Sequence, residues 1–395
     1  MDFPDLVLNK ISQGSGKGLD EFEKLKANPE EKLKIEKLDE QYGCFYSPAF
    51  ELKVEEIDLL RQGVEVTNIT VKNSLNSAGQ FSFTVTNAYD FVRKDFNWLE
   101  DLFVPGKIVS IKLGYAGLLK PMMLGRITSV KVTFPSGGAP QIEIGGMDFL
   151  EPLMKNKKQK SWSNVKHSEV VKKIISETFK DKNKLEEVID ETAEKFPIVM
   201  KNEQSDFEFI NNLAKENHFE FFITGKTVYF RKQPENLDSV IILEWGRNLV
   251  SFSTELNVSK QVGCVKVIGW DPINKKAIIG KADKVTQTVK DNGTKTGSDL
   301  AKEIHGDNSV ICVHCRVTSK KDADKKAQAI LDEHASKLVT GNAESLGIPE
   351  LIAGRYISLN SLGKKFSKQY YIVSSNHTIS SSGYRTTFDV EVNTI

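Results

Sequence analysis

The feature that most constrains this 395-residue chain is a strand–turn–strand pattern that occurs twice. Ile127–Ser129 matches Val373–Ser375, and Ile142–Ile144 matches Phe388–Val390, both at a spacing of 246 residues. Hairpin sequences resemble one another by chance, but a spacing held through two strands and their turn favours a genuine duplication. Two copies of this length are too long for a solenoid repeat, so the pattern predicts two similar β-domains.

Two matches upstream of these hairpins extend the duplication. Gly106–Ile111 matches Gly354–Leu359, and Gly79–Phe83 matches Gly263–Val267 more loosely. Apolar and polar residues alternate through both regions, and turn residues separate the runs, as in antiparallel barrels or sandwiches. Each region is therefore expected to form an antiparallel β-domain of barrel or sandwich type.

The expected fold is mainly β with an α+β insertion, in which two similar β-barrel domains flank a small α+β domain. We expect an N-terminal arm over residues 1–43 and a first barrel over residues 44–153. The α+β domain is expected over residues 154–238, and a second barrel over residues 239–395. The second barrel should include one helix, near Asp322–Leu338, rich in alanine and lysine.

Helix signals occur in the arm and in the α+β region. Asn28–Glu31 combines an N-cap residue, a first-turn proline and two acids, which predicts a short amphipathic helix within the arm. The arm either docks on a neighbouring subunit or is a solvated leader. Ser205–Glu208 has the S-x-x-E form of a capping box and predicts the start of a second helix.

Composition excludes several classes of protein. The 54 basic residues nearly equal the 53 acidic ones, so no overall field favours nucleic acid as a specific partner. No apolar run reaches the length of a membrane span, and the first residues lack the pattern of a secretory signal. Four cysteines do not make a disulfide framework, so folding in a reducing cytoplasm is expected, with no membrane anchor.

Three segments contain residue types found in binding or catalytic sites, but their patterns favour structural roles. Gly14–Gly18 lacks the spacing and the following Ser or Thr of a phosphate-binding loop. Cys312–Cys315 lies in a strand pattern that puts Cys315 on the opposite face from Cys312 and His314. The lysines of Lys155–Lys160 are typical of a solvated linker. We therefore expect no catalytic, cofactor-binding or metal-binding residues, no cofactor and no enzymatic activity.

Two like domains in one chain have a geometric use. A trimer of such chains presents six similar domains in a ring, which gives a pseudo-sixfold face on a threefold object. An adaptor between a hexameric tube and a trimeric partner would need this symmetry.

Four segments together resemble a known family. Lys201–Ile210, continuing to Phe219–Phe222, resembles the Q-x-E-[ST]-D-x-x-F-[IL]-x-x-L segment of phage late control protein D. It is also similar to the hub part of the VgrG proteins of type VI secretion. Gly354–Leu359, Tyr370–Val373 and Gly383–Phe388 look like that family's closing barrel, and the likeness covers roughly residues 45–395.

The resemblance implies a homotrimeric baseplate hub with two tube-like barrels in each subunit. Its implied partners are an inner tube or tube-initiator protein, a trimeric spike protein and baseplate wedge proteins. Such a hub would be assembled in the bacterial cytoplasm and become part of a phage-tail-like particle. The chain ends at Ile395 without a needle domain, so the spike is expected to be a separate chain, unlike in VgrG.

The parent particle stays open among a phage, a bacteriocin, an injection system and a type VI secretion machine. Two other functions also stay open. A tail-associated peptidoglycan hydrolase predicts a cleft with paired carboxylates. A glycan- or receptor-binding β-protein predicts an exposed aromatic cluster on a monomer.

Overall fold

The computed structural model describes residues 35–155, 157–179, 185–235, 238–271, 274–286, 295–306, 310–314, 317 and 319–395. The glycine-rich segment Gly14–Gly18 and the helix start at Asn28–Glu31 lie outside these residues.

Strand is the most frequent element in the described chain, at 48%. The strands are β1 Pro48–Val54, β2 Ile57–Asp58, β3 Val66–Ser74, β4 Gln80–Val85, β5 Tyr89–Asp90, β6 Asp95–Phe96, β7 Ile108–Tyr115, β8 Leu118–Thr133, β9 Gln141–Asp148, β10 Lys160–Lys166, β11 Glu186–Ile189, β12 Lys195–Lys201, β13 Phe219–Thr224, β14 Thr227–Lys232, β15 Ile241–Glu244, β16 Leu249–Leu256, β17 Cys264–Asp271, β18 Lys276–Ala282, β19 Val310–His314, β20 Val339–Leu346, β21 Tyr356–Asn360, β22 Lys368–Ser380 and β23 Gly383–Val392. The helices are α1 Ile35–Gln41, α2 His167–Thr178, α3 Asp206–Asn217, α4 Gly297–His305, α5 Lys320–Ser336 and α6 Gly363–Phe366.

One 13-stranded sheet organises the fold. Its main path runs β16-β20-β23-β22-β3-β4-β9-β8-β7-β1-β2, and β21 joins it by pairing with β22 and with β15. Its inner faces share a continuous apolar core that includes Val71, Phe83, Ile144, Ile357 and Phe388. The prediction of a mainly β fold is confirmed, and the strands form large antiparallel sheets.

The two halves of this sheet have corresponding strands in the same order. The first half runs β3-β4-β9-β8-β7-β1, and the second runs β16-β20-β23-β22-β21-β15. Both long hairpins carry a break in register, between Ile127 and Ser129 in β8 and between Ile372 and Ser374 in β22. The last strands differ, because β1 pairs antiparallel with β7 whereas β15 pairs parallel with β21.

The spacing of 246 residues does not hold across the hairpins. Ser129 is exposed, whereas Ser375 is 1% exposed and faces the core, so the two serines lie on opposite faces. The hairpins differ in length, since Ser129 pairs with Gly145 but Ser375 pairs with Phe388. A one-residue shift reverses the face of a strand, and the structural counterpart of Ser129 is Ser374.

The 239–395 region holds an insertion that its strand pattern does not predict. β17 pairs with β18 and β19 in a separate three-stranded sheet, so the proposed match of Gly79–Phe83 to Gly263–Val267 is wrong. Its Val265 and Val267 pack against Ala327 and Leu331 of α5. The region contains three helices in its described residues instead of one, because α4 and α6 accompany α5.

The α+β unit has its own apolar core. Helices α2 and α3 pack with the β10–β12 pair and the β11-β14-β13 sheet around Val171, Ile210 and Phe230. The predicted capping box is present: the Glu208 N–H donates to Ser205 Oγ at 3.1 Å, and the Ser205 N–H donates to the Glu208 carboxylate at 2.8 Å.

The described end of the N-terminal arm packs on its own chain. Leu38 and Tyr42 are buried in the main core. The Tyr42 hydroxyl donates to Glu350 Oε1 at 2.6 Å, and its ring lies 5.5 Å from that of Tyr115, centroid to centroid. Neither interpretation of the arm anticipated this contact, which joins the two halves of the sheet.

Candidate functional site

One face of the long sheet is polar from β16 to β8. Directly paired residues lie on the same face of a sheet, and the opposite face is buried in the core. One row of successive partners crosses six strands as Ser251, Glu344, Thr387, Asn376, Lys72 and Gln80. The alternation seen in the sequence therefore produces a continuous hydrophilic surface over both halves.

Charges of both signs are distributed over this polar face. Asp389 accepts hydrogen bonds from Ser374 Oγ at 2.6 Å and from Asn342 Nδ2 at 2.9 Å, beside a depression of about 450 Å³. Lys131 Nζ lies 3.3 Å from a Glu143 carboxylate oxygen on the neighbouring strand. The side chains that line the depression include lysine, aspartate, asparagine, serine and threonine but no histidine or cysteine.

The polar face ends at two edges that lack a neighbouring strand among the described residues. Apart from an isolated bridge between Leu249 and Trp245, β16 pairs with β20 alone, and the part of β8 from Ser129 to Thr133 pairs only with β9. Between these edges, the two halves join at a seam where β22 pairs with β3. Unpaired edges of this length present backbone donors and acceptors that can extend a sheet into another chain.

The α+β unit covers one end of the sheet. Ala78, in the β3–β4 connection, and Phe149, just after β9, belong to the unit's core. The Phe221 N–H donates to Asn76 Oδ1 at 2.9 Å, and Asn211 Nδ2 donates to the Asn76 carbonyl at 3.2 Å. The α+β unit therefore covers the end of the sheet at which β3 connects to β4.

The opposite end of the sheet carries exposed aromatic side chains. Phe91 in the β5–β6 connection is 67% exposed, and Phe134 after β8 is 66% exposed. Tyr89 links them, with ring centroids 5.1 Å from Phe91 and 6.0 Å from Phe134. At the corresponding end of the second half, Trp245 between β15 and β16 is 58% exposed. Both halves thus present aromatic surface at the same end.

A buried polar cluster fixes the α+β unit to the second half. Arg231 Nε lies 3.3 Å from a Glu220 carboxylate oxygen, and the Tyr371 hydroxyl donates to Glu220 at 2.6 Å. Arg231 also donates to the Gly354 carbonyl at 3.1 Å and lies over the Phe222 ring. Burial raises the pKa of Glu220, and the positive charge of Arg231 opposes that shift.

The candidate motifs of the sequence do not come together in one site. Cys312 and His314 are both exposed on one face of β19, as the strand pattern predicts, and Lys160 begins β10. In the described parts of the chain, no three His, Cys, Asp or Glu side chains are grouped to hold a metal ion. No helix in those parts is long and apolar enough to cross a membrane.

Several solved structures are similar to this chain. The 43 kDa tail protein of prophage MuSo2 from Shewanella oneidensis matches with a TM-score of 0.64 at 13% identity, covering 87% of this chain and 98% of that one. A tail protein from Neisseria meningitidis MC58 gives 0.63 at 12% identity, with coverages of 88% and 97%. The E. coli c3393 protein, a component of the type VI secretion system, gives 0.50 at 13% identity, with coverages of 87% and 76%.

Sequence comparisons add a family. None of the curated proteins compared with the chain matches it. The model of the family described as Alg8 N-terminal domain matches residues 49–381, which is most of the chain. The chain belongs to the Alg8 N-terminal domain family, and its fold is that of phage tail proteins.

Proposed function

We propose that the chain is the structural baseplate hub of a contractile injection system and joins a hexameric inner tube to a trimeric spike. The observation that carries the proposal is the pair of corresponding half-sheets, joined into one polar face with an open edge at each side. Its role is mechanical, and we propose that it has no enzymatic activity. Resemblance to late control protein D and VgrG hubs supports the same role.

Three copies would complete a ring. Each chain contributes eight consecutive strands, from β16 to β8, and neighbouring strands along this path are antiparallel throughout. The free part of β8 corresponds to β22, and β16 corresponds to β3. A β8–β16 contact between chains would thus repeat the β22–β3 seam and give six similar units around a threefold axis.

The two ends of the sheet suit different partners. The end covered by the α+β unit has no exposed half-sheet to offer a sixfold partner, so we assign it to the spike side. The open end carries aromatic surface at Phe91 and Phe134 in one half and at Trp245 in the other. Six such patches would face an inner tube or tube-initiator ring, since aromatic residues are favoured at protein interfaces.

The outer surface of the ring would contact baseplate wedge proteins, and the spike would be a separate trimeric chain. The hub would assemble in the bacterial cytoplasm before entering the particle. The E. coli type VI component with a similar fold is described as structurally similar to the T4 tail proteins gp27 and gp5, which supports this placement.

Native mass measurement of the purified chain tests the proposal. We expect a trimer, formed either by the chain alone or after addition of its spike protein, and ring-shaped particles by negative-stain electron microscopy. A monomer at micromolar concentration in both cases would contradict the hub assignment.

The exposed aromatic cluster supports a second candidate function, a glycan- or receptor-binding protein. Tyr89, Phe91, Phe96 and Phe134 form a surface onto which sugar rings could stack. This candidate predicts a functional monomer, so the same mass measurement separates it from the hub.

A further inference from the structure

We propose that Lys131 of one copy and Glu255 of the next form an ion pair that sets the register between subunits. This inference rests on the proposed hub function and adds the residues that join neighbouring subunits. It follows from the seam that the chain already contains.

The seam inside the chain gives the pairing rule. Asn376 of β22 lies opposite Lys72 of β3, and Thr378 lies opposite Thr70. The matching register breaks in β8 and β22 make Ser129 the counterpart of Ser374. Lys131 is then the counterpart of Asn376, and Thr133 that of Thr378.

The partner strand follows from a chain of direct pairs. Ser129 pairs with Gly145, Gly145 with Ser82, and Ser82 with Thr70. In the second half, Ser374 pairs with Asp389, Asp389 with Asn342, and Asn342 with Ser253. Ser253 is therefore the counterpart of Thr70, and Glu255 is that of Lys72.

Applying the rule between two copies puts Lys131 opposite Glu255 and Thr133 opposite Ser253. Lys131 and Glu255 are exposed on the polar face, at its two opposite edges. The register comes from backbone pairing alone, yet it brings opposite charges together, which stabilises a cross-strand pair. Within one chain these residues are seven strand spacings of about 4.8 Å apart, so only a second copy can join them.

Charge variants test the ion pair by their effect on trimer dissociation. Glu255→Lys puts like charges face to face at the contact, which forms three times per ring. Lys131→Glu does the same and also faces Glu143 of its own chain, so Glu255→Lys is the more direct of the two variants. We expect each variant to raise the dissociation concentration about tenfold or more at low salt. The double variant should bind more tightly than either single one. Lys72→Glu, at the position corresponding to Glu255 inside the chain, is the matched control and should leave trimers unchanged.

Disulfide trapping tests the register independently. Thr133→Cys combined with Ser253→Cys should give covalent trimers on a non-reducing gel, because directly opposed residues have Cα atoms close enough for a disulfide. Thr133→Cys with Ser251→Cys, two residues out of register, should crosslink far less, and each single variant shows the background from native cysteines.

The outcomes separate this inference from the function on which it rests. If the wild-type chain forms trimers and neither charge reversal changes their dissociation, the proposed register is wrong but the hub function still stands. The same conclusion follows if position 251 crosslinks better than position 253. A wild-type chain that never associates overturns the hub itself.

Discussion

Replacement of Arg231 by methionine should reveal how firmly the α+β unit is held to the second half of the sheet. In the folded protein, the Arg231 and Glu220 side chains are only 7% and 10% exposed. Methionine keeps much of the aliphatic volume but removes the charge that faces Glu220 and the donor to the Gly354 carbonyl. The variant must then either bury an uncompensated carboxylate or protonate it.

The free-energy cost of protonating Glu220 sets the size of the stability loss in Arg231→Met and makes that loss depend on pH. Removing one partner of a buried ion pair costs about 3–5 kcal/mol. Starting from an unfolded-state pKa of about 4.3, protonating Glu220 costs about 4 kcal/mol at pH 7.5 but only about 1.6 kcal/mol at pH 5.5. Because the folded-state pKa of Glu220 is raised, stability in the variant falls as pH rises through this range. Loss of the hydrogen bond to the Gly354 carbonyl adds a further loss of stability that does not depend on pH.

Urea unfolding at both pH values measures these losses. Trp162, buried in the core of the α+β unit, serves as a fluorescent reporter. Glu220→Gln with Arg231→Met removes both charges and should be more stable than Arg231→Met alone at pH 7.5. Lys232→Met is the matched control, since that side chain is 61% exposed and should change stability by about 0.5 kcal/mol or less. Equal losses for Arg231→Met at both pH values would refute the reasoning.

Four other outcomes are expected. Burial lowers the pKa of His377 to about 4, so the folded state binds fewer protons than the unfolded state. The free energy of unfolding should therefore keep its full value above about pH 6.5 and fall by about 3 kcal/mol as the pH drops to about 4. His377→Gln should reduce this decline in urea titrations. Tyr42→Phe removes the hydroxyl that donates to Glu350 and should cost about 1–2 kcal/mol in urea unfolding, whereas Tyr46→Phe, at an 89% exposed position, should cost almost nothing. Gly347→Ala would put a Cβ 2.0 Å from the Tyr384 ring and should lower the free energy of unfolding by about 1–3 kcal/mol; an unchanged value would mean that the ring moves freely. The purified protein should leave peptidoglycan intact in a zymogram, and a cleared band would contradict the non-enzymatic proposal.

Local pattern in the sequence predicted much of the sheet but not its register. Alternation identified both β-regions, and the S-x-x-E signal identified the start of α3 at Ser205. The spacing of 246 residues failed at Ser375 because two hairpins of different length can keep one sequence spacing while their strands face differently. Pairing partners, and not spacing, define the face of a residue.

The insertion was missed for a related reason. β17 alternates in the same way whether it joins a barrel or a separate sheet, and only its parallel pairing with β19 distinguishes the two. The Glu220–Arg231 pair could have been predicted, because a hairpin turn at Gly225 puts these two charged residues opposite each other among apolar neighbours. Tyr371, 151 residues away from Glu220, gave no such local signal.

The β22–β3 seam also bears on how readily the proposed ring would form. Six separate half-sheets would have to meet in solution, and their assembly would depend on the sixth power of concentration. Peptide linkage makes every second contact intramolecular, so a ring of three chains would need two association steps instead of five, and each step avoided saves a loss of translational and rotational freedom. A chain that carries its own seam can therefore assemble at expression levels far below those that six independent pieces would require.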